Sequence, residues 1–217
     1  MNNFKAVVFD LDGTLLNTID DLGNSMNSVL DSMGFPLHTI PEYKYVIGKG
    51  LRNLVTNVLP PESRDEKTIE QCLDKMFQEY GSRWGEKTLP YPGIPELLDK
   101  LAEKRIRLAI LSNKAHHITM LVFEKYLSRW PFDAVFGERP GIPRKPDPSV
   151  AFEIIDILKI PAENIVYLGD SGSDMETAIK AGMYPVGALW GFRNAEELME
   201  YGAKVMIQTP DELLKLF

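Results

Sequence analysis

The sequence predicts an α/β protein in which a doubly wound parallel-sheet core carries a smaller α-helical domain, inserted after the first strand. Three features support this prediction. Short apolar runs alternate with amphipathic stretches, the runs are apolar throughout, and roughly seventy residues after the first run contain no convincing strand. A chain of 217 residues is long enough for one main domain and one smaller domain.

The first predicted element is a strand over residues 6–10, which is apolar up to its final aspartate. Strands are also expected at residues 107–112, 134–136, 165–169 and 185–189, with a final weak strand at 204–207. Strands that are apolar on both faces are typical of a sheet covered by helices on both sides. Amphipathic stretches at residues 95–105, 115–127 and 149–159 lie between these strands, which predicts right-handed crossovers.

Helical spacing replaces the strand pattern between residues 17 and 85. Helices are expected at residues 19–33, 50–59 and 65–83, the first of them capped by Asn17 or Thr18. The stiff segment Leu89-Pro90-Tyr91-Pro92-Gly93 marks the return to the core. We therefore predict a core formed by residues 1–16 and 86–217, and a helical cap domain formed by residues 17–85.

Composition excludes several classes of partner. A net charge of −7 argues against a general nucleic-acid or anionic-membrane surface. Cys72 is the only cysteine, so no internal disulfide forms and a reducing compartment is expected. The first apolar run is too short for a signal peptide or a membrane span, which predicts a cytoplasmic location. No feature of the sequence indicates the oligomeric state.

Polar residues that could take part in catalysis or ligand binding follow the predicted strands. Asp10 and Asp12 come at the end of the first strand, where buried carboxylates are costly unless chemistry or a metal needs them. The carboxyl ends of parallel strands meet at one edge of a sheet. The further polar residues expected at that edge are Ser112, Asn113, Lys145, Asp170 and Asp174. Such a group suits a phosphoryl group and a divalent cation.

Taken together, Asp10-Leu11-Asp12-Gly13-Thr14, Ser112, Lys145-Pro146 and Gly169-Asp170-Ser171-Gly172-Ser173-Asp174 resemble the four motifs of the haloacid dehalogenase superfamily. The motifs lie in the family's order and span essentially the whole chain. The chain looks closest to the phosphoglycolate-phosphatase-like branch. That resemblance implies a Rossmann-like core with a C1-type helical cap.

The resemblance also implies a role for each residue. Asp10 would be the nucleophile that forms an aspartyl-phosphate, and Asp12 would act as general acid and base. Mg²⁺ would be held by Asp10, Asp170 and the backbone carbonyl of Asp12. Ser112 and the Asn113 amide would hold phosphoryl oxygens, whose charge Lys145 would offset. Asp174 would orient metal-bound water or Lys145.

The expected activity is Mg²⁺-dependent hydrolysis of a small phosphorylated metabolite, with 2-phosphoglycolate preferred by resemblance. Sugar phosphates, nucleoside monophosphates and pyrophosphate follow as candidates. A phosphomutase of the same fold is the main alternative, and a non-catalytic binding protein is a further one.

Two features that bear on the substrate stay open at the level of sequence. Lys49 or Arg52 in the cap would contact a second anionic group of the substrate, or would be solvated charges at a helix turn. His116 and His117 could approach the cleft or form a solvated helix end.

Overall fold

Six parallel strands form the central sheet in the computed structural model, which describes residues 3–217. The strands of the protein are β1 (Ala6–Phe9), β2 (Leu16–Asn17), β3 (Leu89–Pro90), β4 (Arg107–Ala115), β5 (Phe132–Glu138), β6 (Ile165–Gly169), β7 (Tyr184–Ala188) and β8 (Val205–Ile207). The sheet has the order β5-β4-β1-β6-β7-β8, and every neighbouring pair is parallel. The predicted α/β class with a parallel sheet is confirmed.

Helices occupy both faces of this sheet and the segment between β2 and β3. They are α1 (Ile19–Ser32), α2 (Ile40–Tyr43), α3 (Leu51–Val58), α4 (Glu66–Arg83), α5 (Ile94–Glu103), α6 (His116–Tyr126), α7 (Ser149–Leu158), α8 (Gly172–Lys180) and α9 (Ala195–Glu200), with short 3-10 helices at Pro61–Ser63, Ala162–Asn164 and Pro210–Leu216. Among residues 3–217, no helix combines the length and the apolar character needed to cross a membrane.

The core of the protein lies on both faces of the sheet because alternate strand residues point to opposite sides. In β1, Ala6 and Val8 belong to the cluster formed with α7 and α8, whereas Val7 and Phe9 belong to the cluster formed with α5 and α6. The second cluster continues into α1, α3 and α4. One continuous apolar core therefore joins the sheet to the helices that follow β2.

Residues 18–88, between β2 and β3, form what we call the helical insertion, in which α1 and α3 pack on α4. At its base, β2 and β3 pair in an antiparallel ladder that the sequence did not predict. The carboxylate of Asp21 accepts hydrogen bonds from the backbone of Lys87 and from the backbone and hydroxyl of Thr88. These contacts mark where the chain leaves and re-enters the sheet region, and the domain division at residues 17 and 85 stays a prediction.

The end of β4 differs from the prediction in a way that matters for the site. The strand was expected to end at Ser112, and it continues to Ala115. Its pairing with β5 shifts register between Leu111 and Ala115. The three residues Ser112, Asn113 and Lys114 therefore lie in extended backbone outside the regular ladder, at the carboxyl edge of the sheet.

Candidate active site

Three buried carboxylates lie together at the carboxyl ends of β1 and β6. Asp10 follows β1, Asp170 follows β6, and Asp174 lies in the first turn of α8. One carboxylate oxygen from each residue lies within 4.8 Å of the other two. The sheet thus brings together side chains that are separated by about 160 positions in the chain, as parallel strand ends do.

Lys145 supplies the positive charge at the centre of this cluster. Its Nζ lies 2.6 Å from Asp10 Oδ1, 2.7 Å from Asp174 Oδ1 and 2.9 Å from the Leu111 carbonyl oxygen. An ammonium group has three N–H donors, and all three are used here. The resemblance implies that Lys145 offsets the charge of phosphoryl oxygens, and in the structure its ammonium group contacts the carboxylates of Asp10 and Asp174.

The pKa values of the cluster reflect burial and an excess of negative charge. Burial, together with the charges of Asp174 and Asp170, raises the pKa of Asp10 well above its usual value. Burial and the charge of Asp174 raise the pKa of Asp170 to about 7. Burial alone would lower the pKa of Lys145, but the charges of Asp10 and Asp174 outweigh it and hold that pKa well above normal. Carboxylates kept ionised here need a further cation.

Asp170 is held by backbone that approaches it closely. Its Oδ2 accepts a hydrogen bond of 2.7 Å from the Phe192 amide, and its Oδ1 lies 3.3 Å from the Thr14 hydroxyl. A Cβ atom added at Gly13 would lie 2.3 Å from Asp170 Oδ2, and one added at Gly191 would lie 2.2 Å from Asp170 Cβ. Only glycine fits at these two positions, because any side chain would displace the carboxylate.

The donor set of this cluster fits a divalent cation. Asp10, Asp170 and Asp174 face one ammonium group, so the ionised cluster carries two excess negative charges. Asp174 accepts four hydrogen bonds, two on each oxygen, from Lys145, the Tyr167 hydroxyl, and the amide and hydroxyl of Ser171, whereas Asp10 accepts one and Asp170 two. Asp10 and Asp170 are therefore the residues with capacity to ligate, and oxygen ligands suit hard cations such as Mg²⁺.

Asp12 and Lys114 form a second buried ion pair beside the first cluster. Asp12 Oδ1 lies 2.8 Å from Lys114 Nζ, and the two side chains are 11% and 5% exposed. Sequence analysis did not single out Lys114, although it directly follows Ser112 and Asn113. The sequence showed Lys114 only as a third polar residue after an apolar strand. Its pairing with Asp12 depends on the irregular end of β4, which the sequence did not predict.

Ser112 and Asn113 lie at the same edge of the sheet. The Ser112 hydroxyl accepts a hydrogen bond from the Lys114 amide. Asn113 Oδ1 accepts from the Lys145 amide at 2.9 Å, and its Nδ2 lies 3.1 Å from the Gly48 carbonyl oxygen. The Asn113 side chain thus links the Lys145 loop to the helical insertion.

A cavity of about 60 Å³ lies between the carboxyl edge of the sheet and the helical insertion. Asp10, Asp12, Ser112, Asn113 and Lys114 line one end of it, and residues of the insertion line the other. The structure brings neither Lys49 nor Arg52 to its lining. Arg52 pairs instead with Glu66 and Glu70 on α4, and Lys49 is exposed.

The two histidines at the start of α6 also lie outside the cavity lining. His116 Nδ1 accepts a hydrogen bond of 3.2 Å from the Gly137 amide in β5. His117 is exposed at the helix surface. His117 therefore lies at a solvated helix end, whereas His116 is half-buried against β5.

Arg193 connects the core to the insertion, a role that sequence analysis did not assign to it. The side chain is buried, and its guanidinium donates to the backbone carbonyls of Lys44, Tyr45 and Ile47. We call residues 44–48 the clamp segment. Arg144 adds a contact to the neighbouring Lys49 carbonyl, so core side chains hold this part of the insertion by its backbone.

Comparison with known proteins agrees with this geometry. The family model described as "Haloacid dehalogenase-like hydrolase" matches residues 7–188. A phosphoglycolate phosphatase of Pseudomonas savastanoi pv. phaseolicola is 30% identical over 98% of this chain and 78% of its own length. A phosphoglycolate phosphatase of Aquifex aeolicus is 27% identical over 98% of this chain and 96% of its own length.

Solved structures share the whole fold. A protein of Lactobacillus delbrueckii subsp. bulgaricus, whose name also refers to phosphoglycolate phosphatase, is 30% identical and superposes with a TM-score of 0.91 over 97% of each chain. A haloacid dehalogenase-like family protein of Streptococcus pneumoniae, 21% identical, superposes with a TM-score of 0.89 over 99% of each chain and shows the fold alone. The chain therefore belongs to the haloacid dehalogenase-like hydrolase family, within which it groups with the phosphoglycolate-phosphatase-like phosphatases.

Proposed function

We propose that the protein is a Mg²⁺-dependent hydrolase of small phosphomonoesters that works through an aspartyl-phosphate on Asp10. The observation that carries this proposal is the position of Asp10. Its carboxylate lines the cavity, one of its oxygens is fixed by Lys145, and Asp12 lines the same cavity two residues further on. A fixed carboxylate beside a second carboxyl group supplies a nucleophile for phosphorus and a proton donor for the departing ester oxygen.

In the first step, a carboxylate oxygen of Asp10 bonds to phosphorus while the ester P–O bond breaks. The Asp12 carboxyl group gives its proton to the departing oxygen, so the alcohol leaves neutral. In the second step, water attacks the aspartyl-phosphate, its proton passes to Asp12, and phosphate leaves with Asp10 restored. Mg²⁺ held by Asp10, Asp170 and the Asp12 backbone carbonyl would supply the positive charge that lets an anionic nucleophile meet an anionic phosphoryl group.

The remaining residues position this reaction. Lys145 and Asp174 keep the Asp10 carboxylate in place, and Lys114 keeps the Asp12 side chain at the cavity. Ser112 and the Asn113 amide, which line the cavity, would hold phosphoryl oxygens. The helical insertion would act as a cap that excludes water, because Arg193 and Asn113 hold its clamp segment over the site. The names of the relatives make 2-phosphoglycolate the first candidate substrate.

The test is hydrolysis of p-nitrophenyl phosphate by the purified protein with Mg²⁺. Asp10→Asn should abolish turnover while leaving the circular dichroism spectrum unchanged, whereas the exposed carboxylate of α1 provides a control in Asp31→Asn. EDTA should remove activity, and Mg²⁺ should restore it. Full activity in Asp10→Asn would refute the assignment. Phosphate release without a bisphosphate activator would separate the hydrolase from a mutase.

A further inference from the structure

Lys114 supplies the positive charge of the cavity. In the part of the chain that the structure describes, it is the one cationic side chain in the cavity lining, and that side chain is only 5% exposed. Burial alone would lower the pKa of Lys114, but the charge of Asp12 and the neighbouring Tyr80 outweigh burial and hold that pKa above its usual value. The cavity therefore contains a buried ammonium group that stays charged.

The ammonium group of Lys114 has unused donor capacity, unlike that of Lys145. All three N–H groups of Lys145 are used within the carboxylate cluster. Lys114 Nζ lies 2.8 Å from Asp12 Oδ1, and the hydroxyl of Tyr80 is its other neighbour. Because an ammonium group has three donors, at least one N–H of Lys114 has no acceptor among residues 3–217 and is available to a ligand.

Tyr80 places a second donor beside this ammonium group. Its side chain lines the cavity, and its ring centroid lies 4.8 Å from Lys114 Nζ. A phenol hydroxyl that accepts a hydrogen bond from Lys114 still has its own O–H to donate. An anionic oxygen of a ligand near both groups would therefore receive two hydrogen bonds, one of them from a charged donor.

The rest of this end of the cavity is apolar. The side chains that line it come from α1, the clamp segment, α3, α4 and α6: Leu22, Ile47, Leu51, Leu54, Phe77 and Ile118. A carboxylate against this wall would lose its water without gaining a counter-charge, which is costly. A carboxylate beside Lys114 gains that counter-charge, and the weak screening of an apolar cavity strengthens the attraction.

Asp12 relates the position of this charge to the ester oxygen. In the proposed mechanism the Asp12 carboxyl group gives its proton to the departing oxygen, and the same carboxyl group contacts Lys114. The ester oxygen and the ammonium group are therefore neighbours of one side chain. A carboxylate on the carbon that carries the ester oxygen is directed toward Lys114, whereas a carboxylate farther along the leaving group is directed toward the apolar wall.

We propose that Lys114 determines the specificity for the leaving group by binding a carboxylate on the carbon that carries the ester oxygen, with Tyr80 donating a second hydrogen bond. This inference rests on the proposed phosphomonoesterase activity and names its substrate class as the phosphate esters of 2-hydroxy carboxylates. The cavity volume of about 60 Å³ suits the smallest of them, 2-phosphoglycolate. Lys49 and Arg52, which lie outside the lining, have no part in this recognition.

The experiment compares three phosphomonoesters: 2-phosphoglycolate, 2-phosphoglycolamide and 3-phosphooxypropanoate. The amide replaces the carboxylate with a neutral group of similar shape, and the third ester moves the carboxylate one methylene farther from the ester oxygen. We expect kcat/KM for 2-phosphoglycolate to exceed that for each of the other two by about tenfold or more, because it alone places an anion at Lys114.

Lys114→Met removes the charge while keeping the length of the side chain. The ratio of kcat/KM for 2-phosphoglycolate to that for the amide should fall about tenfold or more, whereas a loss of Asp12 positioning alone would lower both values and leave the ratio unchanged. Lys114→Arg keeps the charge and should keep the preference for the carboxylate. Lys49→Met is the matched control, because Lys49 is exposed and this variant should leave the ratio unchanged.

Equilibrium binding gives a second measurement that does not depend on turnover. Calorimetry with Mg²⁺ present compares the Kd values of 2-phosphoglycolate and its amide in Asp10→Asn and in Asp10→Asn combined with Lys114→Met. The ratio of the two Kd values should favour 2-phosphoglycolate in the first protein and should approach one in the second.

Two outcomes would overturn the inference while leaving the proposed function intact. The first is a kcat/KM for the amide or for 3-phosphooxypropanoate that equals or exceeds that for 2-phosphoglycolate. The second is an acid-to-amide ratio that Lys114→Met leaves unchanged in turnover or in binding. Inactivity of the wild-type protein toward all three esters and toward p-nitrophenyl phosphate would refute the proposed function itself, and this inference with it.

Discussion

The stability of the metal-free protein should fall as pH rises, because Asp170 is buried among other carboxylates. Its pKa is raised from 3.8 to about 7, chiefly by burial and then by the charge of Asp174. A carboxyl group with a raised native pKa binds more protons in the native state than in the unfolded state. Its contribution is complete below pH 4 and is lost as pH rises toward 7.

The magnitude follows from this difference in pKa. Each pKa unit corresponds to about 1.4 kcal/mol, so Asp170 alone accounts for about 4 kcal/mol between pH 4 and pH 7. For a chain of this size, 1 kcal/mol shifts Tm by about 2–4 °C, which predicts a fall of about 3–6 °C per pH unit. Asp10 adds to the fall in the same direction, because its pKa is also raised.

Thermal unfolding in EDTA at pH 5, 6, 7 and 8 measures this effect. Asp170→Asn should flatten the profile and should raise the Tm of the metal-free protein at pH 8. Mg²⁺ should stabilise the native protein most at high pH, because binding requires ionised carboxylates. The exposed carboxylates with lowered pKa values, such as Glu42 and Asp147, titrate below this range. A Tm that is flat or rising between pH 5 and 7 in EDTA would refute the reasoning.

Three further substitutions test separate parts of the structure. Gly191→Ala places a Cβ 2.5 Å from Asp170 Oδ2, so it should destabilise the protein by about 1–3 kcal/mol and weaken Mg²⁺ binding measured by calorimetry. The control is Gly81→Ala on α4, whose added Cβ meets no atom within 4 Å and should be neutral or stabilising. Arg193→Ala should speed amide hydrogen exchange in the clamp segment by about tenfold or more, and unchanged protection would contradict the observed contacts. Arg52→Gln should leave KM for 2-phosphoglycolate within about twofold, because Arg52 lies outside the cavity lining and is paired with Glu66 and Glu70. A large selective rise in KM would restore Arg52 as an anion contact.

Features that depend on local sequence were predictable. The strands were found because buried parallel strands are apolar throughout, and β6 was predicted at both ends. Asp10, Asp170 and Asp174 could be grouped because parallel topology forces strand ends to one edge, so the chain distance between them did not matter. The two-residue strands β2 and β3 could not be found, since their pairing is set by the insertion that they enclose.

The roles of residues that depend on contacts with distant parts of the chain were not predictable from the sequence. Tyr80 occupies a position on α4 that continues the buried spacing of Ile69, Leu73 and Met76, so it is indistinguishable from a core residue in sequence. Its position in the cavity lining, beside Lys114, appears only in the folded structure. Lys114 is similar, because its pairing with Asp12 requires the register shift at the end of β4.

The loop after β7 physically connects the edge of the sheet that carries the carboxylate cluster to the insertion. The Phe192 amide holds Asp170 Oδ2, and the next residue, Arg193, holds the carbonyls of the clamp segment. Trp190 Nε1 donates to the Thr14 carbonyl, which fixes the loop to the segment after β1. Because two adjacent residues contact both parts, the clamp segment cannot move away without releasing Arg193 or displacing the loop that positions Asp170. Any coupling between closure and cation binding must be reciprocal, so Mg²⁺ should slow hydrogen exchange in the clamp segment, and this protection should disappear in Arg193→Ala.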